Sequence, residues 1–356
     1  MKKPIGLALS VPVILILALP AVAQRYSIID LGTVQDNYSE SGGVNNLGHV
    51  AGCADTESDC NNNVTSTGFL WSQSEGLQTL PMLPSGQAAF AAAINDSDEV
   101  TGNAWVGPYS HAVLWRSDKT IQDLGTLPRG SNSVGHAINN RGQVTGYSYG
   151  DFASYHAFLW TSGAGMRDIG PPGPATGIGY GVNLLGHVCG EFINREGTYI
   201  GAFLWTEEGG MQNLGTLPGW TWSSASGLND MDQIVGSSAK IVTGGYIGHA
   251  TLWSKRTNVS GMKDLGTLPG GFSSFATAIN NLGQIVGSSG LQQESGVIYR
   301  AFVWSTRAGM QDLNLLIPPE SAWTLLYASG INDLGQITGY GTIDQQTHAF
   351  LLTPSH

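Results

Sequence analysis

The sequence predicts an all-β protein, a seven-bladed β-propeller of four-stranded antiparallel blades. Three observations predict it: a unit of about 48 residues occurs seven times, each unit holds four short strand patterns, and one unit is divided between the chain ends. Hydrophobic residues make up 41% of the chain and charged residues 12%. This balance favours a compact fold over a disordered chain, and the 50 glycines supply many turns.

Strand A of each unit ends in a small residue, an aliphatic residue and an asparagine. The seven asparagines are Asn45, Asn95, Asn139, Asn183, Asn229, Asn280 and Asn332. A turn such as 280–283 follows, with the asparagine and glycine that tight hairpins need for positive φ angles. Each asparagine therefore predicts the end of one strand and the start of a hairpin.

Strands B, C and D complete each unit. Strand B is an apolar pair such as Ile285-Val286, strand C ends in a tryptophan as in 157–160, and strand D resembles residues 261–266. Strands B and C are apolar at consecutive positions, which indicates that both faces of each sheet are covered. A blade between two neighbouring blades meets that condition.

The ends of the chain carry the divided unit. Residues 26–32 form a solitary strand D, whereas the last unit stops after its strand C. Pairing the first strand with the last blade closes the ring and removes the free sheet edges. We therefore expect residues 24–356 to form a single propeller domain.

Residues 1–23 resemble a signal peptide. Lys2 and Lys3 precede an apolar stretch over 5–19, and Ala21-Val22-Ala23 matches a cleavage site before Gln24. We expect a secreted or periplasmic protein with no membrane span after cleavage; the alternative is an uncleaved anchor. The formal net charge of −11 disfavours binding to nucleic acid.

The three cysteines have two predicted roles. In an oxidising compartment Cys53 and Cys60, which are close in sequence, are expected to form a disulfide across a loop. Cys189 occupies the place held by Thr145 and Val235 in other units. We interpret it as a small buried hydrophobic residue.

Segments 156–160, 278–287 and 261–271 resemble the HAF-repeat family of extracellular bacterial proteins, named for a His-Ala-Phe tripeptide. The resemblance covers nearly the whole chain after residue 23. It implies an exported repeat protein and supplies no catalytic residue. The tripeptide histidine is present at His111, His156, His249 and His348, and is replaced by Thr67, Gly201 and Arg300.

Residues that recur in nearly every unit are predicted to serve the fold. They include the four histidines and a set of strand D aspartates: Asp30, Asp123, Asp168, Asp264 and Asp312. We expect them to form structural hydrogen bonds from blade to blade or to a turn, the alternative being a metal site.

Two local motifs are compatible with chemistry but are also interpreted structurally. Residues 146–150 match a Gly-x-Ser-x-Gly nucleophile motif, but the strand-turn-helix context that motif requires is not predicted. Acidic residues in the turns at 96–99 and 230–232 lack the full calcium-loop pattern, and we expect ordinary hairpin turns there.

The residues that do not recur are the candidate ligand contacts. Loops B–C and D–A vary in length, emerge on the same face of a meander, and are rich in aromatic residues. Variable aromatic loops on a rigid scaffold are common binding sites. The candidates are Trp105, Tyr109, Tyr149, Phe152, Tyr199, Trp220, Trp222, Tyr246 and Trp323.

These observations favour a non-catalytic binding or scaffold module for an extracellular glycan or a cell-surface protein. We expect a monomer without cofactor or bound metal. The alternative is a hydrolase or lyase that degrades extracellular polysaccharides, because propellers also carry enzymes. An enzyme requires a cleft with convergent acid and base groups, whereas a shallow aromatic rim favours binding.

Overall fold

The structure is a computed structural model. It describes residues 25–34, 38–55, 60, 65–149, 154–173, 175–243, 245–254, 261–294 and 296–355. The predicted signal peptide at 1–23 and the candidate Phe152 lie outside these residues.

The strands follow the predicted order of four per unit. The first half of the chain contains β1 (Arg25–Asp30), β2 (Tyr38–Val44), β3 (Val50–Asp55), β4 (Thr67–Ser72), β5 (Gly76–Thr79), β6 (Ala89–Ile94), β7 (Val100–Val106), β8 (Tyr109–Trp115), β9 (Ile121–Asp123), β10 (Ser133–Ile138), β11 (Val144–Tyr149), β12 (Tyr155–Thr161), β13 (Gly165–Asp168), β14 (Thr176–Val182), β15 (Val188–Ile193), β16 (Ile200–Thr206) and β17 (Gly210–Asn213).

The second half continues the pattern with two short 3₁₀ turns, Leu313–Leu315 and Pro319–Ser321, after β25. Its strands are β18 (Trp222–Leu228), β19 (Gln233–Val242), β20 (Gly245–Ser254), β21 (Met262–Asp264), β22 (Gly271–Ile279), β23 (Ile285–Gln293), β24 (Gly296–Ser305), β25 (Gly309–Asp312), β26 (Thr324–Ile331), β27 (Ile337–Ile343) and β28 (Gln346–Ser355). The all-β class and the four-stranded unit are confirmed.

The described strands form five separate four-stranded antiparallel sheets and one eight-stranded sheet. The larger sheet joins β2–β5 to β26–β28 through a single parallel bridge between Tyr38 and Thr347. β1 pairs with β28 along six residues, from Arg25 opposite Ser355 to Asp30 opposite Phe350. The first strand of the chain therefore completes the last group of strands, as its strand D pattern predicts.

Hydrophobic clusters lie between successive sheets. In one of them Leu114 of β8 packs with Val144, Phe158 and Trp160 of the following sheet. Aromatic rings of this size bury much apolar area, so each sheet is held by its neighbours. Sheets that pack face to face in succession give a β-propeller fold.

Every strand A contains a β-bulge that the sequence pattern does not predict. In β22 the register against β23 shifts between Ala276 and Ala278. Gly287 lies opposite, and a Cβ atom there would be 2.0 Å from the main-chain oxygen of Phe275. Equivalent glycines with 1.8–2.2 Å clearances are Gly52, Gly102, Gly146, Gly190, Gly236 and Gly339. Glycine is required at this position because the bulged strand approaches too closely for a side chain.

Candidate functional site

A cavity of about 750 Å³ opens on the face that carries the B–C and D–A loops, which we call the loop face. Aromatic rings form much of its wall: Tyr180, Tyr246, Phe275, Tyr299, Tyr327 and Tyr340. The wall also includes residues with hydroxyl groups: Ser224, Ser226, Ser237, Thr277 and Ser288. Rigid strands A and B position most of these side chains, while Tyr246 and Tyr299 stand on the longer hairpins of β20 and β24.

Burial raises the pKa of three tyrosines of this cavity, Tyr180, Tyr327 and Tyr340, and so holds them in their neutral form. Burial, together with nearby Tyr340 and Glu40, raises the pKa of Tyr327 far above its ordinary value. Burial and the negative charge of Glu191 do the same to the pKa of Tyr180, whose hydroxyl donates to Glu191 Oε1 at 3.3 Å. The wall therefore offers neutral hydroxyl groups at all physiological pH values.

A second cavity of about 420 Å³ lies on the same face. It is bordered by Trp105, Asn132, His136, Tyr147 and Tyr149 among others. His136 lies with Nδ1 2.9 Å from the main-chain oxygen of Gly179, which can only accept, so Nδ1 carries the proton. Burial lowers the pKa of His136, so the ring is neutral at pH 7.

The two cavities share one aromatic pair. His136 borders the smaller cavity and stacks on Tyr180, which borders the larger one, with ring centroids 5.1 Å apart and planes 16° apart. Tyr147 also packs against His136, with ring centroids 5.5 Å apart and planes tilted by 58°. The loop face thus presents two adjacent polar and aromatic depressions separated by a stacked pair.

Three of the predicted contacts border these cavities. Tyr246, which is 61% exposed, borders the larger cavity, whereas Trp105 and Tyr149 border the smaller one. Tyr109 is also exposed but borders neither. Tyr199 packs on Phe192 with ring centroids 5.8 Å apart, away from both cavities.

The three predicted tryptophans of the D–A links do not converge. Trp323 packs edge-on against Phe350 at 6.0 Å and against His348 at 6.4 Å, beside the core. Trp220 lies against His249, with Lys240 Nζ 4.9 Å from the ring centroid. Trp222 is the first residue of β18 rather than a loop residue. Their role in binding stays a prediction.

Sequence reasoning missed the aromatic residues carried by strand A. The positions three and five residues before each repeated asparagine vary widely among the units and include His136, Tyr180, Phe275 and Tyr327. The position between them is always Gly, Ala or Ser. The signal that marks the cavity wall is therefore a pair of strand positions whose residue type varies from unit to unit, on either side of a position that is always a small residue.

The repeated histidines pair with the repeated strand D aspartates. The distances from His Nδ1 to Asp oxygen are 2.8 Å for His111–Asp123, 2.9 Å for His156–Asp168, 3.0 Å for His249–Asp264 and 2.9 Å for His348–Asp30. Arg300 replaces the histidine in one unit and keeps the pairing, 3.6 Å from Asp312. The second aspartate oxygen accepts from a main-chain N–H, as Gly170 N donates to Asp168 at 2.8 Å. These residues have structural hydrogen bonds, as predicted, but the predicted partners were wrong: each histidine bonds the adjacent strand of its own sheet, as in β12 and β13, and not a neighbouring blade or a turn.

The nucleophile-like motif and the cysteines also have structural roles. Ser148 is fully buried in β11; its hydroxyl accepts from Leu127 N at 2.9 Å and donates to Asn132 O at 3.0 Å. Cys53 and Cys60 form the predicted disulfide. Cys189 is free and buried, and burial raises the pKa of its thiol strongly. A buried neutral thiol is inert, as expected for a packing residue.

The A–B turns border a different cavity, of about 180 Å³, on the face that we call the turn face. Asn280 Oδ1 accepts from Leu282 N and Gln284 N within its own turn, and Nδ2 donates to Asn332 O at 2.9 Å. The same link to the next turn is made by Asn45, Asn95, Asn139, Asn183, Asn229 and Asn332. Asn332 donates to Asn45 O at 2.8 Å, which connects the last unit to the first.

The acidic turn residues pair with neighbouring turns rather than with one another. Asp98 Oδ1 lies 2.8 Å from His49 Nδ1, and Asp232 Oδ1 lies 2.8 Å from His187 Nδ1. Asp98 and Asp232 have a positive φ and occupy the place that glycine holds in the other turns. The turn before each of them contains a histidine, His49 or His187, and the other turns have glutamine or glutamate at that place. These carboxylates are engaged in the ordinary turn contacts that the sequence predicts.

Comparison with known proteins gives only a general likeness of fold. No family model and no curated protein matches the chain. Among solved structures, a protein assigned as TolB from Agrobacterium tumefaciens is 10% identical, with 94% of this chain and 100% of that chain covered and a TM-score of 0.45. A protein assigned as a gluconolactonase is 10% identical, with coverages of 94% and 98% and a TM-score of 0.43. An oligogalacturonate lyase in complex with manganese has a TM-score of 0.36 at 10% identity, with coverages of 73% and 87%.

Within the residues that the structure describes, no helix is both long and apolar enough to cross a membrane.

Proposed function

We propose that this chain is a closed seven-bladed propeller that binds an extracellular glycan, without cleaving it, in the aromatic cavity of the loop face. The observation that carries the proposal is the wall of the 750 Å³ cavity, which combines tyrosine and phenylalanine rings with serine and threonine hydroxyls. Rings stack on the apolar faces of sugars, and hydroxyls exchange hydrogen bonds with sugar hydroxyls. Export of the chain and its relation to the HAF-repeat family are parts of this proposal.

The neutral state of the wall supports a glycan over a charged ligand. Tyr180 and Tyr327 keep their protons because burial raises the pKa of each. The described groups with acidic charge near the rings, Glu40 and Glu191, accept hydrogen bonds from Tyr38 and Tyr180. An uncharged, hydroxyl-rich ligand fits such a wall, since it presents donors and acceptors without an ionic partner.

Ring closure is supported by the link from Asn332 to Asn45 and by the pairing of β1 with β28. A closed ring fixes the relative positions of strands A from different units, and the cavity wall is built from several of them. A preorganised wall lowers the entropic cost of binding a flexible oligosaccharide.

The test is a glycan array followed by calorimetry on the best glycan with single variants. Tyr246→Ala and Tyr299→Ala remove half-exposed rings of the cavity, and each should weaken binding at least about tenfold with little change in melting temperature. Tyr109→Ala removes a similarly exposed ring of the same face outside the cavity and should leave affinity within about twofold. Equal affinities for all variants would refute the site.

The same samples separate binding from catalysis. Mass spectrometry of the glycan after prolonged incubation should find it intact. Shorter products would instead support the polysaccharide-degrading enzyme that the sequence leaves as the alternative.

A further inference from the structure

The turn face carries a band of exposed aliphatic side chains, which we call the turn-face arc. Its members, between 43% and 70% exposed, are Leu47, Leu185, Met231, Leu282 and Leu334. All five occupy the same place, two residues after the repeated asparagine. They belong to the fourth to seventh units and the first, and successive turns of this series are linked by asparagine hydrogen bonds. The five side chains of the arc therefore stand on successive, linked turns of one face.

The turn itself does not require an aliphatic residue at this place. Ser97 and Arg141 occupy it in the other two units. Ser97 N donates to Asn95 Oδ1 at 3.0 Å, and Leu282 N makes the same bond to Asn280 at 3.1 Å. Since a serine makes the same turn bond, the turn does not require the exposed leucines Leu47, Leu185, Leu282 and Leu334 at this place. Contiguous exposed apolar groups of this kind mark interaction surfaces.

Carboxylates lie beside the apolar side chains. Asp230 and Asp333 border the cavity that the A–B turns surround, on the inner side of the arc. Glu75 and Glu207 occupy C–D turns, which a meander places on the same face. Their charges pair only at exposed sites, with Lys119 and Arg167 respectively. A second copy of this chain would present the same carboxylates, so like charge disfavours self-association through this face.

We propose that the turn-face arc docks a segment of another protein that presents apolar side chains flanked by lysine or arginine. The aliphatic groups of the arc bury the apolar side chains, and the neighbouring carboxylates receive the cations at the edges. This surface does not depend on the glycan site, because it lies on the other face of the units.

The test uses two synthetic amphipathic peptides of the same pattern, one of leucine and lysine and the other of leucine and glutamate. Fluorescence anisotropy should show binding of the lysine peptide, weaker in high salt, and none of the glutamate peptide. The variant Leu185→Ser, Leu282→Ser, Leu334→Ser should weaken binding at least about tenfold. It should melt like the parent chain, because Ser97 already occupies this place.

A matched control removes exposed aliphatic groups from the loop face. Ile241→Ser with Leu315→Ser, at residues 68% and 74% exposed, should bind the lysine peptide like the parent chain. Asp230→Asn with Asp333→Asn should reduce the preference for lysine over glutamate.

Three results would overturn the proposal. The first is equal binding of the two peptides, and the second is unchanged binding by the triple serine variant. The third, measured by light scattering, is a dimer of the parent chain that the serine variant converts to a monomer, which would make a second copy the occupant.

Discussion

At the scale of single residues, His156 of strand C and Asp168 of strand D make the stability of the fold depend on pH. His156 is nearly buried, and its hydrogen bond to Asp168 outweighs desolvation and raises the pKa of the imidazole above 6.5. Burial raises the pKa of Asp168, but hydrogen bonds from His156 and Gly170 outweigh it and hold that pKa below 3.8. The charged pair is therefore favoured in the folded protein at mildly acidic pH.

The directions of the two pKa shifts define the pH range in which Asp168→Asn should lower the stability of the fold. The raised pKa of His156 stabilises the fold below pH 6.5 and loses its effect as pH rises through the folded value. The lowered pKa of Asp168 stabilises the fold above pH 3.8 and loses its effect as pH falls. We expect the stability difference between parent and variant to be largest from about pH 4 to 6.5 and to shrink by pH 9. Urea titrations across this range, with NMR titration of His156, measure it; a difference independent of pH would contradict the pairing.

At the scale of elements, the glycine of strand B is the partner of the bulge in strand A. Gly287→Ala would place a methyl group 2.0 Å from a main-chain oxygen that cannot move without shifting β22. We expect a loss of about 2–3 kcal/mol in the free energy of unfolding. Gly163→Ala is the matched control, because nothing lies within 4 Å of its Cβ and its φ is ordinary. Chemical denaturation measures the free energy of unfolding of the two variants. Equal values would show that the bulged strand can shift to accommodate a methyl group at little cost.

The strands could be predicted from sequence, but the cavity could not. The repeated asparagine and apolar pair mark strand ends in every unit, because each copy must satisfy the same turn and the same core. The wall residues Tyr180 and Phe275 lie in strands A, for which the sequence pattern predicts only a strand end and a hairpin. Their direction depends on the bulge at Ala276–Ala278 and its equivalents, which shifts the alternation of side chains within the strand. Loop tryptophans such as Trp323 were more conspicuous, although that ring packs beside the core.

At the scale of the whole molecule, the asparagine links distinguish a closed ring from an open stack. Asn139 and Asn332 make the same contacts: Nδ2 donates to the next turn at 2.7 and 2.8 Å, and Oδ1 accepts from two N–H groups of its own turn. One link lies in the middle of the chain and the other joins its last unit to its first.

If the ring is closed in solution, Asn139→Ala and Asn332→Ala should cost the same, about 1–3 kcal/mol, since each leaves buried polar groups without partners. If the ring is open, the link from Asn332 to Asn45 contributes nothing, and its variant should be the milder of the two. Thermal unfolding of both variants under identical conditions decides between these outcomes.

The pairs His49–Asp98 and His187–Asp232 have a consequence for the history of the repeat. Each of these pairs joins residues of two adjacent units, so those two units match each other in a way that the other units do not. The third unit has Gln143 at the place of His49. If a copy of the third unit stood in place of the first, Asp98 would face an amide group instead of an imidazole. The copies have thus acquired a fixed order, and shuffled versions of this gene should encode less stable proteins than the natural arrangement.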